Sequence, residues 1–333
     1  MKIFSTFIKI FVVSVLILSC TPRDKYITIT GYAQGGTYAV KLNLNGKDGI
    51  IKMRPEAIRD SIDAILLEID NTLSGYNQNS LLSSINAGEA VEWNDMMRDI
   101  FAHAERIQTE TKGAVDVAAG PLFDLWGFGF KSGDFPTDEE VRMIKETSNL
   151  EYYLSHGKGK LNFNAIAQGY SCDLVAEYLH SLGIKDMMVD IGEIFCEGRN
   201  PSGKPWSLGI DKPVDGNNEL GAQIQGIFRA PDGPHGIVTS GNYRKFYIKD
   251  GKKYSHTIDP RTGYPVTHNL LSATIVAEDA MTADAYATYC MVIGLEESKI
   301  FLESRTDLEG CLIYDEGGQF KTWCSEGFVL EEL

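Results

Sequence analysis

The sequence has no cluster of lysine and arginine, no CxxC pair, no internal repeat and no low-complexity tract. Each absence removes a class of protein. A chain of 333 residues with a formal net charge of -15 repels polyanions unless it carries a basic patch, so nucleic acid is excluded as a partner. With Cys20 set aside, Cys172, Cys196, Cys290, Cys311 and Cys324 are odd in number and lack metal-ligand spacing. They indicate neither a complete disulfide framework nor a zinc site, and read as small buried hydrophobes. No long linker divides residues 20–333, which read as one compact domain with room for internal subdomains. What is present is ordinary folded composition, 43% hydrophobic and 23% charged. An acidic protein of this kind can still hold a phosphate, but only with backbone N–H groups, a few placed cations or a metal ion.

Lys2 and Lys9 precede the apolar run Ile10–Leu18, which is short for a bilayer span and suits a signal-peptide core. The run ends at Leu16-Ile17-Leu18-Ser19-Cys20, followed by polar Thr-Pro-Arg-Asp. This resembles a bacterial lipoprotein box: residues 1–19 would be removed and Cys20 lipidated, leaving the chain exported and anchored to a bacterial membrane, facing the periplasm or cell exterior. An uncleaved N-terminal anchor is the alternative, and it too puts the remainder outside the cytoplasm.

Tyr26–Thr30 and Tyr38–Leu44 read as strands around a Gln34-Gly35-Gly36 turn. Ile58, Ile62, Ile65, Ile69 and Leu73 fall at helical spacing behind Pro55, which suits a helix start. Asn94–Thr111 fits a helix capped by Asn94 and closed by Gly113, and Thr137 with Glu140 forms a capping box. Asn164–Leu182 and Ala280–Ile293 are further helices, the second ended by Gly294. Strands are expected at Met187–Ile191, Trp206–Ile210, Ala222–Phe228, Gly236–Thr239, Arg244–Ile248 and Leu271–Ala277, with an Asp250-Gly251 hairpin turn among them. Antiparallel-style strands with helices in no strict alternation indicate an α+β fold of antiparallel or mixed sheets, not a doubly wound one.

Three segments carry chemistry. Val238-Thr239-Ser240-Gly241-Asn242-Tyr243 ends a buried strand with hydroxyls and a glycine that lets a ligand approach the backbone, although an ordinary strand-to-loop turn has the same composition. Tyr254-Ser255-His256-Thr257-Ile258-Asp259-Pro260-Arg261-Thr262-Gly263-Tyr264-Pro265 packs an imidazole, a carboxylate and a guanidinium into a loop fixed by Pro260 and Gly263. The same groups could simply satisfy a tight turn. Asp284 and Thr288 share one face of a small-residue helix, offering the hard oxygens that magnesium accepts, with Ala283, Ala285 and Ala287 leaving room for a ligand. Asp284 serving only the helix dipole is the alternative.

Together these segments resemble the ApbE family of FAD:protein FMN transferases. The likeness continues in order through Gly36-Thr37-Tyr38, Asp70 to Tyr76, Thr111 to Asp116, Trp126-Gly127-Phe128, Asn164 to Tyr170 with Asp173, and Asp190-Ile191-Gly192-Glu193. The resemblance implies an ApbE-like, T-fold-like architecture that binds FAD as substrate and Mg2+ as cofactor. Carried over by position, the metal ligands would be the Asp284 carboxylate, the Thr288 hydroxyl and the Ala165 carbonyl. The FAD contacts would be Gly35, Tyr76, Ala114, Val115, Asp116, Asn162, Gln168 and Ile258. His256 would be the catalytic group, accepting the hydroxyl proton of a threonine or serine on an acceptor protein such as a redox-pump subunit, with AMP leaving. Gln168 and Asn162 depart from the lysine and aspartate common in the family, which removes a cation from the flavin neighbourhood. The same site could instead hydrolyse FAD to FMN and AMP, or bind FAD without chemistry as a flavin-carrying lipoprotein.

Overall fold

The computed structural model describes residues 25–128, 135–214, 221–243, 246–249 and 252–333, with the backbone alone for 247–249, 252 and 253. The expected signal peptide at residues 1–19, Cys20, Arg244 and the expected Asp250-Gly251 turn lie outside the described residues. The chain opens with the hairpin β1 (Tyr26–Ala33) and β2 (Gly36–Asn43), then the short pair β3 (Asn45–Gly46) and β4 (Gly49–Ile50). Six helices follow: α1 (Pro55–Leu73), α2 (Leu81–Asn86), α3 (Asp95–Glu110), α4 (Gly120–Leu125), α5 (Asp138–Thr147) and α6 (Leu150–His156). Next come α7 (Ala167–Ser181), β5 (Met187–Asp190), β6 (Ile194–Glu197), β7 (Ser207–Asp211), β8 (Ile224–Arg229) and β9 (His235–Gly241). The last third holds β10 (Phe246–Lys249), β11 (Lys252–Ser255), β12 (Ile258–Asp259), β13 (Tyr264–Pro265), β14 (Leu270–Ala277), α8 (Ala280–Ile293), α9 (Leu295–Glu303), β15 (Glu309–Glu316), β16 (Gln319–Cys324) and β17 (Leu330–Glu332).

Among the described residues, eight strands form one sheet in the order β1-β2-β5-β6-β9-β14-β15-β16, and every neighbouring pair is antiparallel. A smaller antiparallel sheet runs β17-β8-β7. This is the expected α+β class. Period-two alternation divides the interior into two layers. Val238, Ile275 and Leu312 face the helices in the main core, whereas Ile237, Val276, Cys311 and Ile313 face Trp206, Leu208, Phe228 and Phe328 of the smaller sheet in a second core. A third cluster joins Ala119, Leu122, Trp126, Val141 and Ile258.

The helices are set by local chemistry that the sequence displays. α1 starts at Pro55 and buries Ile58, Ile62, Leu66, Ile69 and Leu73 along one stripe. Each such side chain contributes about 1.5–3 kcal/mol when fully buried. Asn94 caps α3 by accepting from Met97 N at 2.8 Å, and Gly113 closes the turn beyond it at φ +78°. Thr137 and Glu140 make the full capping box of α5. α7 begins later than Asn164, because Asn162 Oδ1 accepts from Asn164 N at 2.9 Å and holds the approach in a turn. Strands β6, β15, β16 and β17 and the short helices α2, α4, α6 and α9 add to the elements expected from periodicity. Among the described residues, no helix is long and apolar enough to cross a membrane.

Candidate active site

α7 and α8 cross at a contact where any side chain would intrude. A Cβ at position 169 would fall inside the contact radius of the Ala280 carbonyl, and one at Gly236 on β9 would meet the Ala280 backbone from the other side. Two glycines therefore let α8 sink between the sheet and α7. Ala283, Ala285 and Ala287 are fully buried members of the main core. The expectation that they leave room for a ligand is corrected: their small size admits the helix to the core. α7 also grips the start of α8, since Asp173 Oδ1 accepts from Ala280 N and Oδ2 from Met281 N, both at 2.8 Å. Burial pushes the Asp173 carboxyl up to about 7 against those two hydrogen bonds. Asp279 caps the same turn by accepting from Thr282 N at 2.6 Å.

Within this crossing lies Asp284, 5% exposed. Its Oδ2 accepts from Gly169 N at 3.1 Å, and Oδ1 receives no hydrogen bond among the described residues. Burial, reinforced by nearby Asp173, raises the carboxyl to about 8 despite the Gly169 bond. A carboxylate so placed needs a proton or a cation to offset its desolvation. Thr288 stands one turn further along α8, half-buried, and Ala165 lies in the turn entering α7. Among the described residues, no group of three His, Cys, Asp or Glu side chains converges as a cation cage. Both Asp173 oxygens are already engaged, so a cation held here would have Asp284 as its carboxylate, with the Thr288 hydroxyl and Ala165 carbonyl as the expected oxygen partners. That donor set fits magnesium, which commonly binds through one or two carboxylates and completes its shell with waters and substrate phosphates.

Several of the expected flavin contacts lie along the approach to α7. Asn162 N donates to Val117 O at 2.7 Å, and Ala119 bridges Lys160, so the segment after Ala114-Val115-Asp116 runs beside the segment entering α7. Ala114, Val115 and Asp116 are buried. Asp116 accepts from Ala118 N at 2.8 Å and Leu150 N at 3.0 Å, tying this turn to α6, while burial raises its carboxyl. Both oxygens of Asp116 are thus structural clamps, and the turn is closed further by Val115 N donating to Thr111 Oγ1 at 3.2 Å and Ala119 N to Asp116 O at 3.1 Å. Asn162 Oδ1 is spent on the turn into Ala165. Gln168 Nε2 makes a long 3.4 Å hydrogen bond to Ile191 O. Gly35 occupies the β1–β2 turn at φ +80° with open space around its Cβ direction, and neighbouring Gln34 donates to Ser171 Oγ on α7 at 2.5 Å. Tyr76, in the loop after α1, is 67% exposed and outside the three core clusters.

The histidine segment forms another wall. Ile258 is buried with Ala119 and Leu122, β12 adjoins α8, and Thr257 O accepts from Val266 N at 3.0 Å. Trp126 Nε1 donates to Gly263 O at 2.8 Å, so the tryptophan is a brace for the loop. Asp259 accepts from Arg261 N, Nε and Nη2, each at 2.9 Å. These two charges complete a tight turn, the structural reading of the pair. His256 is half-buried and makes an edge-type contact with Phe128, with ring centroids 6.4 Å apart. Likewise, Thr239 shares a 2.8 Å hydrogen bond with Thr274, and Asn242 Nδ2 donates to Leu270 O at 2.9 Å, so that stretch ties strands together. The α8 clamp of Asp173 has no signature in spacing, since its partners are more than a hundred residues away.

The scaffold is thus an antiparallel α+β fold with a buried carboxylate in the first half of α8 and the β12 end of the histidine loop against the same helix. The sequence profile of the ApbE family matches residues 34–312. The FAD:protein FMN transferase of Escherichia coli (strain K12) is 35% identical over 84% of this chain and 83% of its own, and that of Haemophilus influenzae is 32% identical over 93% and 92%. The flavin transferase ApbE from Vibrio cholerae superposes with a TM-score of 0.77 at 32% identity, covering 91% of this chain and 98% of its own. The apo flavinyl transferase ApbE of Pseudomonas stutzeri gives 0.78 at 31% identity, over 91% and 95%. The chain belongs to the ApbE family, and it is a transferase.

Proposed function

We propose that this chain moves an FMN group from FAD to a threonine or serine hydroxyl of an exported or membrane acceptor protein, such as a redox-pump subunit, with release of AMP. The observation that supports the reading is Asp284, a buried carboxylate whose single hydrogen-bond donor is Gly169 N of α7, on the helix α8 that β12 adjoins. The Asp284 carboxylate, the Thr288 hydroxyl and the Ala165 carbonyl would hold magnesium, which when bound neutralises pyrophosphate charge.

In the reaction the acceptor oxygen attacks the phosphorus on the FMN side of FAD, and the bond to the bridging oxygen breaks, leaving with AMP. His256 accepts the hydroxyl proton, a role suited to imidazole near neutral pH. Gly35, Tyr76, Ala114, Val115, Asp116, Asn162, Gln168 and Ile258 bind and orient the dinucleotide, so much of the rate arises from positioning. Gln168 supplies an amide where a lysine would supply charge, which places more of the phosphate balance on the metal and the backbone N–H groups. Residues 1–19 would direct export and Cys20 carry the lipid anchor, bringing the enzyme to acceptors at a membrane.

Incubation with FAD, Mg2+ and an acceptor domain, followed by intact-mass measurement, tests the reading. The acceptor is expected to gain the mass of FMN. Free FMN and AMP with an unchanged acceptor would mean hydrolysis, and unchanged FAD would mean a binding protein.

A further inference from the structure

Cys311 and Cys324 stand directly opposite each other on the antiparallel strands β15 and β16. One step along the ladder, Ser325 N donates to Gly310 O at 2.9 Å and Gly310 N donates to Ser325 Oγ at 2.8 Å. Antiparallel pairs alternate, so with Gly310 and Ser325 as the bonded pair, Cys311 and Cys324 occupy the non-hydrogen-bonded position. There opposing Cα atoms stand about 4.5 Å apart, inside the roughly 4.4–6.8 Å that a disulfide spans. The two side chains point to the same face, and Cys324 Sγ lies 2.9 Å from Cys311 Sγ with both cysteines in the free form.

The pair is also chemically asymmetric. Cys311 is buried in the second core, whereas Cys324 lies on the edge strand of the main sheet and is part-exposed. The hydrogen bond between the sulfurs lowers the Cys324 thiol and raises that of Cys311. The part-exposed sulfur of Cys324 is thus the one an external disulfide can reach, and its thiolate is the form that attacks. Cys196 and Cys290 differ: burial pushes each thiol up to about 12 and leaves it inert.

We propose that Cys311 and Cys324 are a dithiol site that a disulfide oxidant closes into a cross-strand disulfide, fixing edge strand β16 to the sheet. The Cys324 thiolate attacks one sulfur of the oxidant, forming a mixed disulfide and releasing one thiol. The Cys311 thiol, losing its proton, then attacks the Cys324 sulfur and releases the second. Two cysteine thiols are oxidised and one external disulfide is reduced to two thiols. The bond secures more than an edge. Beyond Cys324 the chain returns past Ser325 to Phe328, which stacks on Phe228 at 4.2 Å, and then to β17 on the smaller sheet. Closure therefore anchors the crossing between the two sheets.

The test uses the reduced full chain, freed of reductant and exposed to oxidised glutathione, then acid-quenched and digested without reduction. Mass spectrometry is expected to find the peptides of Cys311 and Cys324 joined, with both thiols lost and both regained after dithiothreitol. Amide exchange along β16 is expected to slow in the oxidised chain. Two free thiols after treatment, or Cys324 stalled as a glutathione adduct, would overturn the proposal. In a Cys324→Ser chain that remains folded, Cys311 is expected to stay unmodified, and a glutathione adduct on it would contradict the order of attack.

Discussion

The α7–α8 wall is continuous with the main core, whereas the His256 wall rests on a satellite cluster of five buried residues and is braced by hydrogen bonds such as Trp126 Nε1 to Gly263 O and Tyr264 Oη to Asp138. At the first wall, close-packed glycine and alanine positions fix a carboxylate where water is scarce. At the second, a self-satisfied turn fixes a half-buried imidazole near the surface. The difference suits the two tasks proposed for these walls. Charge stabilisation gains from a dry, rigid setting, and a proton acceptor for another protein's hydroxyl must stay within that protein's reach.

The contrast breaks most sharply at Asp284. Asp284→Asn keeps an acceptor for Gly169 N while removing the charge, and FMN transfer is expected to fall about 10³-fold, as when a single stabilising group is removed from an active site. Without Mg2+ its thermal midpoint is expected to change little at neutral pH, because burial already raises the Asp284 carboxyl to about 8 and keeps it mostly protonated, and the amide retains an acceptor for Gly169 N. Steady-state transfer assays alongside calorimetry would show both. His256→Asn is expected to lose about 10²-fold in kcat with little change in KM for FAD, the signature of a lost general base; a change confined to KM would make the histidine a binding residue.

Smaller effects separate the walls by stability. Gly169→Ala forces α7 and α8 apart and is expected to destabilise the chain by about 1–3 kcal/mol, the usual range for overpacking, measured by urea unfolding. Trp126→Phe removes the donor to Gly263 O and is expected to cost about 1 kcal/mol. It should impair transfer through the loop while leaving the α7–α8 core intact. Equal losses of activity per unit of stability in these two variants would dissolve the distinction.

How far the sequence discloses this arrangement depends on the range of the interaction. The stripe of α1, the Asn94 cap, the Thr137–Glu140 box and the bounds of α8 are local, and the residues responsible are neighbours in the chain. The candidate residues were legible mainly as an ordered set of segments. Their spatial relation was not, because it depends on Gly169 and Gly236 meeting Ala280, and on Asp173 reaching the first turn of α8. The alanines of α8 show the limit well. Small residues on a helix suit either an open ligand face or a close-packed one, and only the neighbours decide. The facing of Cys311 and Cys324 likewise depends on strand register, which cysteine spacing does not encode.

The most direct test of group transfer is the stoichiometry of AMP released to FMN gained by the acceptor, measured together in one reaction with FAD and Mg2+. The account predicts equal amounts with the wild-type chain and neither product above background with Asp284→Asn. AMP accumulating beside an acceptor of unchanged mass would contradict it.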